Sequence, residues 1–245
     1  PRSPGDAAMT NAVELSNVTF QWPTGNAPVL EISHFSVGTG ERLLVSGPSG
    51  SGKTTLLNLL GGVTIPDAGM VSILGTRLDR LSAAERDSFR ADHVGIIFQL
   101  FNLVPYLSLV ENVLLPCRFS ARRSAQATAR DGDPVSAARR LLAGMGLPDA
   151  LMTGRSVTEL SVGQQQRVAA ARALIGAPEL LIADEPTSAL DDDARQSFLD
   201  LLFESAATEG QTLILVSHDR RMEAVFDRHV SLADLNGAST SGAPG

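Results

Sequence analysis

Residues 47–54 read Gly47-Pro48-Ser49-Gly50-Ser51-Gly52-Lys53-Thr54 and match the pattern G-x-x-x-x-G-K-[ST] of a phosphate-binding loop. The apolar run Arg42 to Val45 enters this loop in the manner of a strand, and Lys53 to Leu60 leaves it in the manner of a helix. Glycines let the backbone curl so that successive N–H groups can point at phosphate oxygens. Strand, loop and helix in this order predict an α/β core that binds a nucleoside triphosphate.

Two side chains at the end of the loop carry the predicted chemistry. Lys53 would neutralise charge on the β- and γ-phosphates, and Thr54 would offer its hydroxyl to Mg²⁺. The loop residues predicted to bind the nucleotide are Gly47, Pro48, Ser49, Gly50, Ser51, Gly52, Lys53, Thr54 and Thr55.

The apolar run Leu180 to Ala183, followed by Asp184 and Glu185, is typical of the second half of such a site. Ligands of open α/β sheets lie beyond the carboxyl ends of the strands, where these two carboxylates would stand. Asp184 is predicted to hold Mg²⁺, directly or through water. Glu185 projects differently because it is the adjacent residue, and it is predicted to act as the general base on the water that attacks the γ-phosphate.

The other strand candidates are separated by helical stretches. Val13 to Trp22 alternates, Val29 to Val37 is a second candidate, and His93 to Phe98 and Thr212 to Val216 are apolar. Ser82 to Glu85 has the form of a helix capping box. Apolar strands alternating with helices predict an α/β fold, a P-loop core with a mostly parallel sheet flanked by helices. An antiparallel β subdomain is expected at its N-terminal side.

The middle of the chain shows no convincing strand, so an inserted helical subdomain is expected there. Met9 is a candidate natural start, with the residues before it a remnant or a ragged terminus. The predicted segments are 1–11, disordered or extraneous; 12–98 and 164–235, the α/β core of one ATPase domain, 12–235; 99–163, the helical subdomain; and 236–245, a flexible Gly/Ser/Ala/Pro-rich tail.

Composition and charge argue against several classes of protein. The 245 residues carry a net charge of −7, so a nucleic-acid partner is not expected. No apolar run approaches the roughly 20 residues that span a bilayer, and the N-terminus lacks the apolar core of a signal peptide. The single Cys117 cannot form an internal disulfide and is expected to be a small buried hydrophobe. The chain is therefore expected in the cytoplasm unless a partner holds it at a membrane.

The stretch Arg118 to Arg140 holds six arginines against Asp131 and Asp133. A solvated helical surface accounts for it, and so does a surface that contacts a membrane partner or acidic headgroups. The sequence leaves these two interpretations open.

Leu160-Ser161-Val162-Gly163-Gln164 stands a short helix ahead of the run that ends at Glu185. It resembles the signature motif of the ATP-binding cassette (ABC) family, L-S-G-G-Q, with Val162 at the first glycine. The order of motifs is similar to that of ABC ATPases over about Val13 to Leu235. The resemblance implies hydrolysis of ATP, with ATP and Mg²⁺ as the bound groups.

The resemblance also adds residues to the predicted site. Gln99, after Ile96-Ile97-Phe98, matches the glutamine that binds Mg²⁺ and water and senses the γ-phosphate. Asp191, at the end of the segment from Pro186, matches the D-loop. His218 matches the switch histidine, which bonds the γ-phosphate and positions the water of Glu185.

In this family two cassettes stack head to tail, and the signature of one closes on the ATP of the other. Ser161, Gly163 and Gln164 would complete that cage at a helix N-terminus. Val162 keeps its N–H but adds a branched side chain and resists a positive φ. We expect a working site with altered closure or rate; a cassette with impaired hydrolysis is the alternative.

Trp22 lies where the family places an aromatic residue that stacks on adenine. Phe20 would lie on the same face of the strand, because side chains alternate. Trp22 is the predicted stacking residue, and its alternative role is that of a core aromatic.

The segment Phe98 to Pro116 is similar to the lipoprotein-release and macrolide-export group of ABC transporters. That resemblance implies a homodimer on the cytoplasmic face of the inner membrane, bound to an integral membrane permease. Leu103 to Leu107 would help form the groove that receives the permease, and ordinary packing within the helical subdomain is the alternative role of these residues. A periplasmic adaptor and an outer-membrane channel are further partners in such systems. The alternative is a cell-division-type regulatory ATPase that controls hydrolases outside the membrane.

Overall fold

The computed structural model describes residues 11–152 and 156–238 of the chain, so most of the predicted terminal segments 1–11 and 236–245 lies outside it. The strands are β1 (Asn11–Phe20), β2 (Leu30–Gly38), β3 (Arg42–Ser46), β4 (Ala68–Ile73), β5 (Thr76–Arg77), β6 (Val94–Ile97), β7 (Leu180–Asp184), β8 (Thr212–Ser217) and β9 (Arg228–Ser231). The α-helices are α1 (Lys53–Leu60), α2 (Ala83–His93), α3 (Leu109–Phe119), α4 (Ala121–Asp131), α5 (Pro134–Gly144), α6 (Val162–Leu174), α7 (Asp192–Glu209) and α8 (Leu232–Leu235).

One sheet is antiparallel, with strand order β2-β1-β4-β5. Leu15 of β1 pairs with Phe35 on one side and with Val71 on the other. All three side chains are buried, so this face of the sheet belongs to the core. The expected N-terminal antiparallel sheet is confirmed. Two strands of this sheet were not predicted: β4, whose second residue is Gly69, and β5, which has only two residues and follows Gly75.

The other sheet is parallel throughout, with strand order β6-β7-β8-β3-β9. Its register aligns the last residues of three neighbouring strands, because Asp184 pairs with Val216 and Ser217 pairs with Ser46. Parallel strands end at the same edge of a sheet, so the segments that follow β3, β7 and β8 emerge side by side. The predicted parallel sheet is confirmed, and β9 is an edge strand that was not predicted.

The side chains of β3 explain why its three inner residues are all apolar. Leu43 and Val45 pack into the core shared with the antiparallel sheet, whereas Leu44 packs into the core beneath the helices. All three residues are fully buried. A strand covered on both faces has no solvated side on which polar residues could stand.

Helices α3, α4 and α5 occupy the segment between β6 and α6. The Ser108 hydroxyl accepts from the Glu111 N–H at 3.2 Å, and the Glu111 carboxylate accepts from the Ser108 N–H at 2.9 Å, so a capping box begins α3. The box predicted at Ser82 and Glu85 begins α2. None of the helices in 11–152 and 156–238 is long and apolar enough to cross a membrane.

The arginine-rich stretch of these helices is partly structural, a role that neither sequence interpretation gave it. Arg123 is 3% exposed and donates to the carbonyls of Ala173 at 2.6 Å and Ile175 at 2.7 Å. Arg130 pairs with Glu209 of α7. These arginines hold α4 against the C-terminal end of α6 and against α7.

Gly95 lets β6 lie close against α6. A Cβ at this position would stand 2.3 Å from the Ala173 carbonyl oxygen and 2.6 Å from Leu181 Cδ2. Real Cβ atoms do not approach other atoms so closely, so only glycine fits without a shift of the helix. Since β6 leads directly into Gln99, this contact also fixes the distance between α6 and the segment that carries the predicted sensor.

The substitution Gly95→Ala should lower the free energy of unfolding by about 1–3 kcal/mol, the usual cost of overpacking. Gly144→Ala is the matched control, because a Cβ at that helical position meets no atom within 4 Å. The control should be neutral or stabilising by up to about 1 kcal/mol, since alanine favours helix over glycine. Denaturant titration of both variants measures the difference. Equal unfolding free energies for Gly95→Ala and the unchanged chain would contradict the close contact.

Candidate nucleotide-binding site

A cleft of about 550 Å³ at the carboxyl edge of the parallel sheet collects most of the predicted site residues. The residues that line it are Trp22, Val29, Ser49, Gly50, Gly52, Lys53, Thr54, Thr55, Gln99, Asp184, Glu185 and His218. Gly47, Pro48 and Ser51 belong to the same loop but do not line the cleft. Residues spread over almost 200 positions of sequence therefore meet around one space.

The phosphate-loop residues curl around the N-terminus of α1. Gly50 and Gly52 have φ values of +79° and +97°, which glycine adopts without a steric cost. Gly52 is the N-cap of α1 and supplies no capping side chain, so the first N–H groups of the helix stay available to an anion. A Cβ at Gly52 would also stand 2.9 Å from Leu30 Cδ2. The loop has the geometry of a phosphate cradle.

Lys53 bonds to the loop itself. Its ammonium donates to the carbonyl oxygens of Gly47 at 2.7 Å and Pro48 at 3.0 Å. A phosphate is a stronger acceptor for a charged donor than a neutral carbonyl is, so the ammonium can transfer to phosphate oxygens. Ser51 Oγ is buried and has no hydrogen-bond partner among the described residues. The loop thus holds one charge and one hydroxyl that a phosphate can satisfy.

Glu185 stands in a left-handed backbone conformation with φ of +44°. Few residues other than glycine adopt this region, and such strain is concentrated at functional sites. Its N–H donates to the Val216 carbonyl at 2.9 Å, which extends the pairing of β7 with β8 by one residue before the chain turns. The Glu185 side chain is 9% exposed and lies at the end of the sheet.

The Glu185 carboxylate is held by two neighbours from the end of β8. The Ser217 hydroxyl donates to it at 3.2 Å. His218 Nδ1 lies 3.0 Å from each carboxylate oxygen. The imidazole is largely exposed to the cleft, so its other nitrogen remains accessible. The structure brings the predicted base and the predicted switch histidine into direct contact.

Asp184 is a half-buried carboxylate beside another carboxylate. Burial raises its pKa, the charge of Glu185 raises it further, and Lys53 opposes both effects. A bound cation would relieve the strain of these two adjacent charges. The oxygen donors of Thr54, Gln99 and Asp184 all line the cleft and are of the kind that Mg²⁺ prefers. The donor set therefore fits the predicted ion.

Trp22 lines the cleft, and Phe20 supports it from the core. Trp22 is 37% exposed and Phe20 only 5%, and their rings meet edge to face with centroids 4.9 Å apart. Val29 lines the cleft beside Trp22 and was not predicted as a site residue. Its position just before β2 carried no sequence signal of this role.

Asn112 anchors the segment that follows Gln99. This α3 residue is fully buried, and its side chain accepts from the Val104 N–H at 2.8 Å and donates to the Leu107 carbonyl at 3.2 Å. Asn112 was not predicted as a site residue. The available signal was an amide among the apolar residues of Leu109–Phe119.

The signature residues lie at the N-terminus of α6, away from the lining of the cleft. Ser161 Oγ accepts from the Gln164 N–H at 3.3 Å, and Gln164 Oε1 accepts from the Ser161 N–H at 3.0 Å. Asp191 caps α7 by accepting from the Ala194 N–H at 2.8 Å. In a single chain, Ser161, Gly163, Gln164 and Asp191 thus stand apart from the phosphate loop. Their contact with nucleotide stays a prediction.

Val162 is the first residue of α6 and is 48% exposed. Helical backbone has a negative φ, so the expected conflict between valine and a positive φ does not arise. Val162 therefore differs from the glycine of the signature motif only in its exposed, branched side chain. At the neighbouring Gly163, a Cβ would meet Leu190 Cδ2 at 3.6 Å, an ordinary contact.

Comparisons with known proteins agree with this geometry. The chain is 36% identical to the lipoprotein-releasing system ATP-binding protein LolD of Bacteroides fragilis over 224 residues, which cover 91% of this chain and 99% of that protein. It is 38% identical to the macrolide export ATP-binding/permease protein MacB of Marinobacter nauticus over 224 residues, 91% of this chain and 33% of that protein. The chain therefore spans a third of MacB and nearly all of LolD.

A similar solved structure is the dimeric post-hydrolysis state of the ATP-binding cassette MJ0796 bound to ADP and Pi. It is 33% identical, covers 89% of this chain and 93% of its own, and superposes with a TM-score of 0.77. The family model described as ABC transporter matches residues 30–188, which include the phosphate loop, the signature and both carboxylates. The chain belongs to the ABC transporter family, whose ATP-binding cassettes hydrolyse ATP.

Proposed function

We propose that this chain is the ATP-hydrolysing subunit of an ABC transporter and energises a membrane permease as a head-to-tail pair of identical cassettes. One observation carries the proposal. The chain gathers the phosphate loop, Gln99, Glu185 and His218 in one cleft but presents Ser161 on a separate helix N-terminus. Each copy would then contribute part of two composite sites. The dimeric MJ0796 cassette supports this arrangement.

ATP would enter the cleft with its base on Trp22 and its phosphates in the loop. The exposed indole offers a flat apolar face, and the Phe20 ring holds it from behind. Lys53 would exchange its two loop carbonyls for phosphate oxygens. Thr54, Gln99 and Asp184 would hold Mg²⁺, which when bound neutralises charge on the β- and γ-phosphates.

Glu185 is the proposed general base. Its carboxylate would take a proton from water while the water oxygen bonds to the γ-phosphorus and the bond to the β–γ bridging oxygen breaks, releasing ADP and phosphate. His218 would orient this carboxylate through the 3.0 Å contact at Nδ1 and offer its other nitrogen to the γ-phosphate. The partner copy would close the site with Ser161, Gly163 and Gln164, and Asp191 would border the nucleotide across the interface.

The permease would dock on a groove between α2 and α3. This groove has a volume of about 620 Å³, and Phe98, Leu115 and Phe119 are among its apolar lining residues. Phe119 is 78% exposed, and apolar surface of this kind marks interaction sites. Asn102 also lines the groove, next to the segment 103–107 to which the sequence analysis assigned the permease contact. The cassette would thus lie on the cytoplasmic face of the inner membrane.

The substitution Glu185→Gln tests the proposed base and the dimer together. Loss of the proton acceptor should lower ATP turnover by at least about 100-fold, within the range for general-base removal. With Mg²⁺-ATP the variant should elute as a dimer in size-exclusion chromatography. Because it cannot hydrolyse the bound ATP, the closed dimer does not reopen. Glu204→Gln on the exposed face of α7 is the matched control and should retain turnover. Normal hydrolysis by Glu185→Gln would refute the assignment.

The substitution Val162→Gly tests whether the valine hinders closure. Removing the exposed branched side chain should let the signature approach the partner's phosphates, so dimer formation in a Glu185→Gln background should need about 3- to 10-fold less ATP, or roughly 1 kcal/mol. Val135→Gly is the control, because Val135 is an exposed valine in the first turn of α5. This control measures how much a glycine in the first turn of a helix lowers stability, apart from any effect at the signature. An unchanged ATP requirement and turnover in Val162→Gly would show that Val162 has no such effect.

The substitution Phe119→Asp tests the docking groove. A buried carboxylate in an apolar interface is costly, so the variant should no longer co-purify with the membrane protein that the unchanged chain retains in detergent. Val135→Asp places the same charge on another exposed apolar position and should keep the partner. The co-purified proteins also identify the system: an adaptor and an outer-membrane channel indicate export, and division proteins indicate a regulatory ATPase. Retention of the partner by Phe119→Asp would remove the groove from the proposal.

A further inference from the structure

Arg172 of α6 is a buried arginine whose guanidinium donates hydrogen bonds to the backbone of the segment that follows Gln99. It is 9% exposed, and it donates to the Phe101 carbonyl at 2.5 Å and to the Asn102 carbonyl at 2.6 Å. No carboxylate pairs with it in the described part of the chain. A buried charge without a counter-charge is costly unless its donors are satisfied, so these two carbonyls are strongly held.

The two carbonyls belong to a strained turn. Phe101 and Asn102 have φ values of +60° and +49°, so two consecutive residues other than glycine are left-handed. Asparagine tolerates this region, whereas a bulky residue such as phenylalanine adopts it only when its surroundings impose it. The guanidinium of Arg172 bonds to the carbonyls of both residues and so holds the turn in this conformation. Gln99 precedes the turn by two residues, so the turn sets the direction in which the glutamine leaves β6.

Helix α6 connects this turn to the signature. Arg172 and Ser161 are 11 residues apart in sequence, which corresponds to about 16 Å along an α-helix. Val168 to Ala171, just before Arg172, are fully buried, and four consecutive residues point to almost every side of a helix, so α6 is packed all round there and cannot bend freely. Gln166 of the same helix donates to the carbonyl of Pro186, the residue after Glu185. Both nucleotide-facing segments of one site are thus bonded to the helix whose N-terminus carries the signature.

We infer that Arg172 is a positioning residue that couples Gln99 in the chain's own cleft to the signature that the chain presents to its partner. Movement of Gln99 toward Mg²⁺ and γ-phosphate displaces the Phe101–Asn102 turn, and the Arg172 fork carries that displacement to α6. The inference rests on the proposed function, because it needs two cassettes that close on each other. Arg172 touches neither nucleotide nor the reacting atoms.

The substitution Arg172→Lys tests the coupling. Lysine keeps the charge and the aliphatic stem but cannot hold two carbonyls in a fixed fork. Arg123→Lys is the matched control, because Arg123 is also buried and also donates to two carbonyls, those of Ala173 and Ile175, at the end of the same helix. The two variants should lose similar thermal stability. Only Arg172→Lys removes the bond to the Gln99 segment.

Three readouts separate positioning from a structural role. Nucleotide affinity can be measured through the fluorescence of Trp22, the only tryptophan in the sequence. It should change less than about twofold in both variants, because neither substitution alters the phosphate loop. The kcat for ATP should fall about tenfold or more in Arg172→Lys alone, since ångström-scale misplacement of a site group has effects of that size. The Mg²⁺ concentration for half-maximal rate should rise in Arg172→Lys, because Gln99 is an ion ligand in the proposed site.

Variants of the turn test the same contact without removing the arginine. Phe101→Pro forbids a positive φ and turns the carbonyl away from Arg172, whereas Phe101→Gly adopts it freely. We expect Phe101→Pro to lower kcat further than Phe101→Gly. Equal kcat values for this pair, or for Arg172→Lys and Arg123→Lys, would overturn the inference. Failure of the unchanged chain to hydrolyse ATP, or of its Glu185→Gln form to dimerise with ATP, would instead overturn the proposed function.

Discussion

The parallel register of β3, β7 and β8 is the constraint on which the site depends. Asp184 pairs with Val216 and Ser46 pairs with Ser217, so the chain leaves three strands at the same level of the sheet. Asp184 is the last residue of β7, and the phosphate loop, Glu185 and His218 each follow directly after the last residue of a strand. A slip of one residue would turn every side chain of a strand to its other face and break both cores at once. The apolar packing on both faces of the sheet therefore holds the site in register.

Two features of the site are locally unfavourable, and the packing of the sheet maintains them. Glu185 has a left-handed backbone, and Asp184 is a half-buried carboxylate beside another one. Each feature is unfavourable alone, and the backbone pairing of β7 with β8 holds both residues in place. Features of this kind persist where function requires them, and the surrounding fold must be stable enough to maintain them. Mg²⁺, proposed to enter with ATP, would relieve the negative charge at Asp184, so binding of the ion would stabilise this cleft.

Helix α6 contacts several segments of the proposed composite site. Its N-terminus presents Ser161, its middle bonds to the residue after Glu185, and Arg172 near its end holds the turn that follows Gln99. Gly95 keeps β6 against the same helix. The tight packing of these contacts explains how a change at one phosphate can reach a surface that the cleft itself does not include. Hydrogen bonds to backbone carbonyls suit this role, because they fix the position of the bonded segment whatever side chain that segment carries.

The sequence by itself determined the α/β class, the phosphate loop and the resemblance to the family, and it picked out Asp184, Glu185 and His218 as candidate site residues. Those features depend on local patterns, namely glycines at fixed spacing, apolar strands and the residues directly after them. Only the tertiary structure decided the roles of Arg123, Arg172, Asn112 and Gly95, because a buried arginine and a surface arginine look alike in sequence. It also decided that Val162 keeps a helical backbone, and it added β4, β5 and β9. Short strands and buried polar contacts owe their existence to partners far along the chain, and a local pattern does not contain those partners.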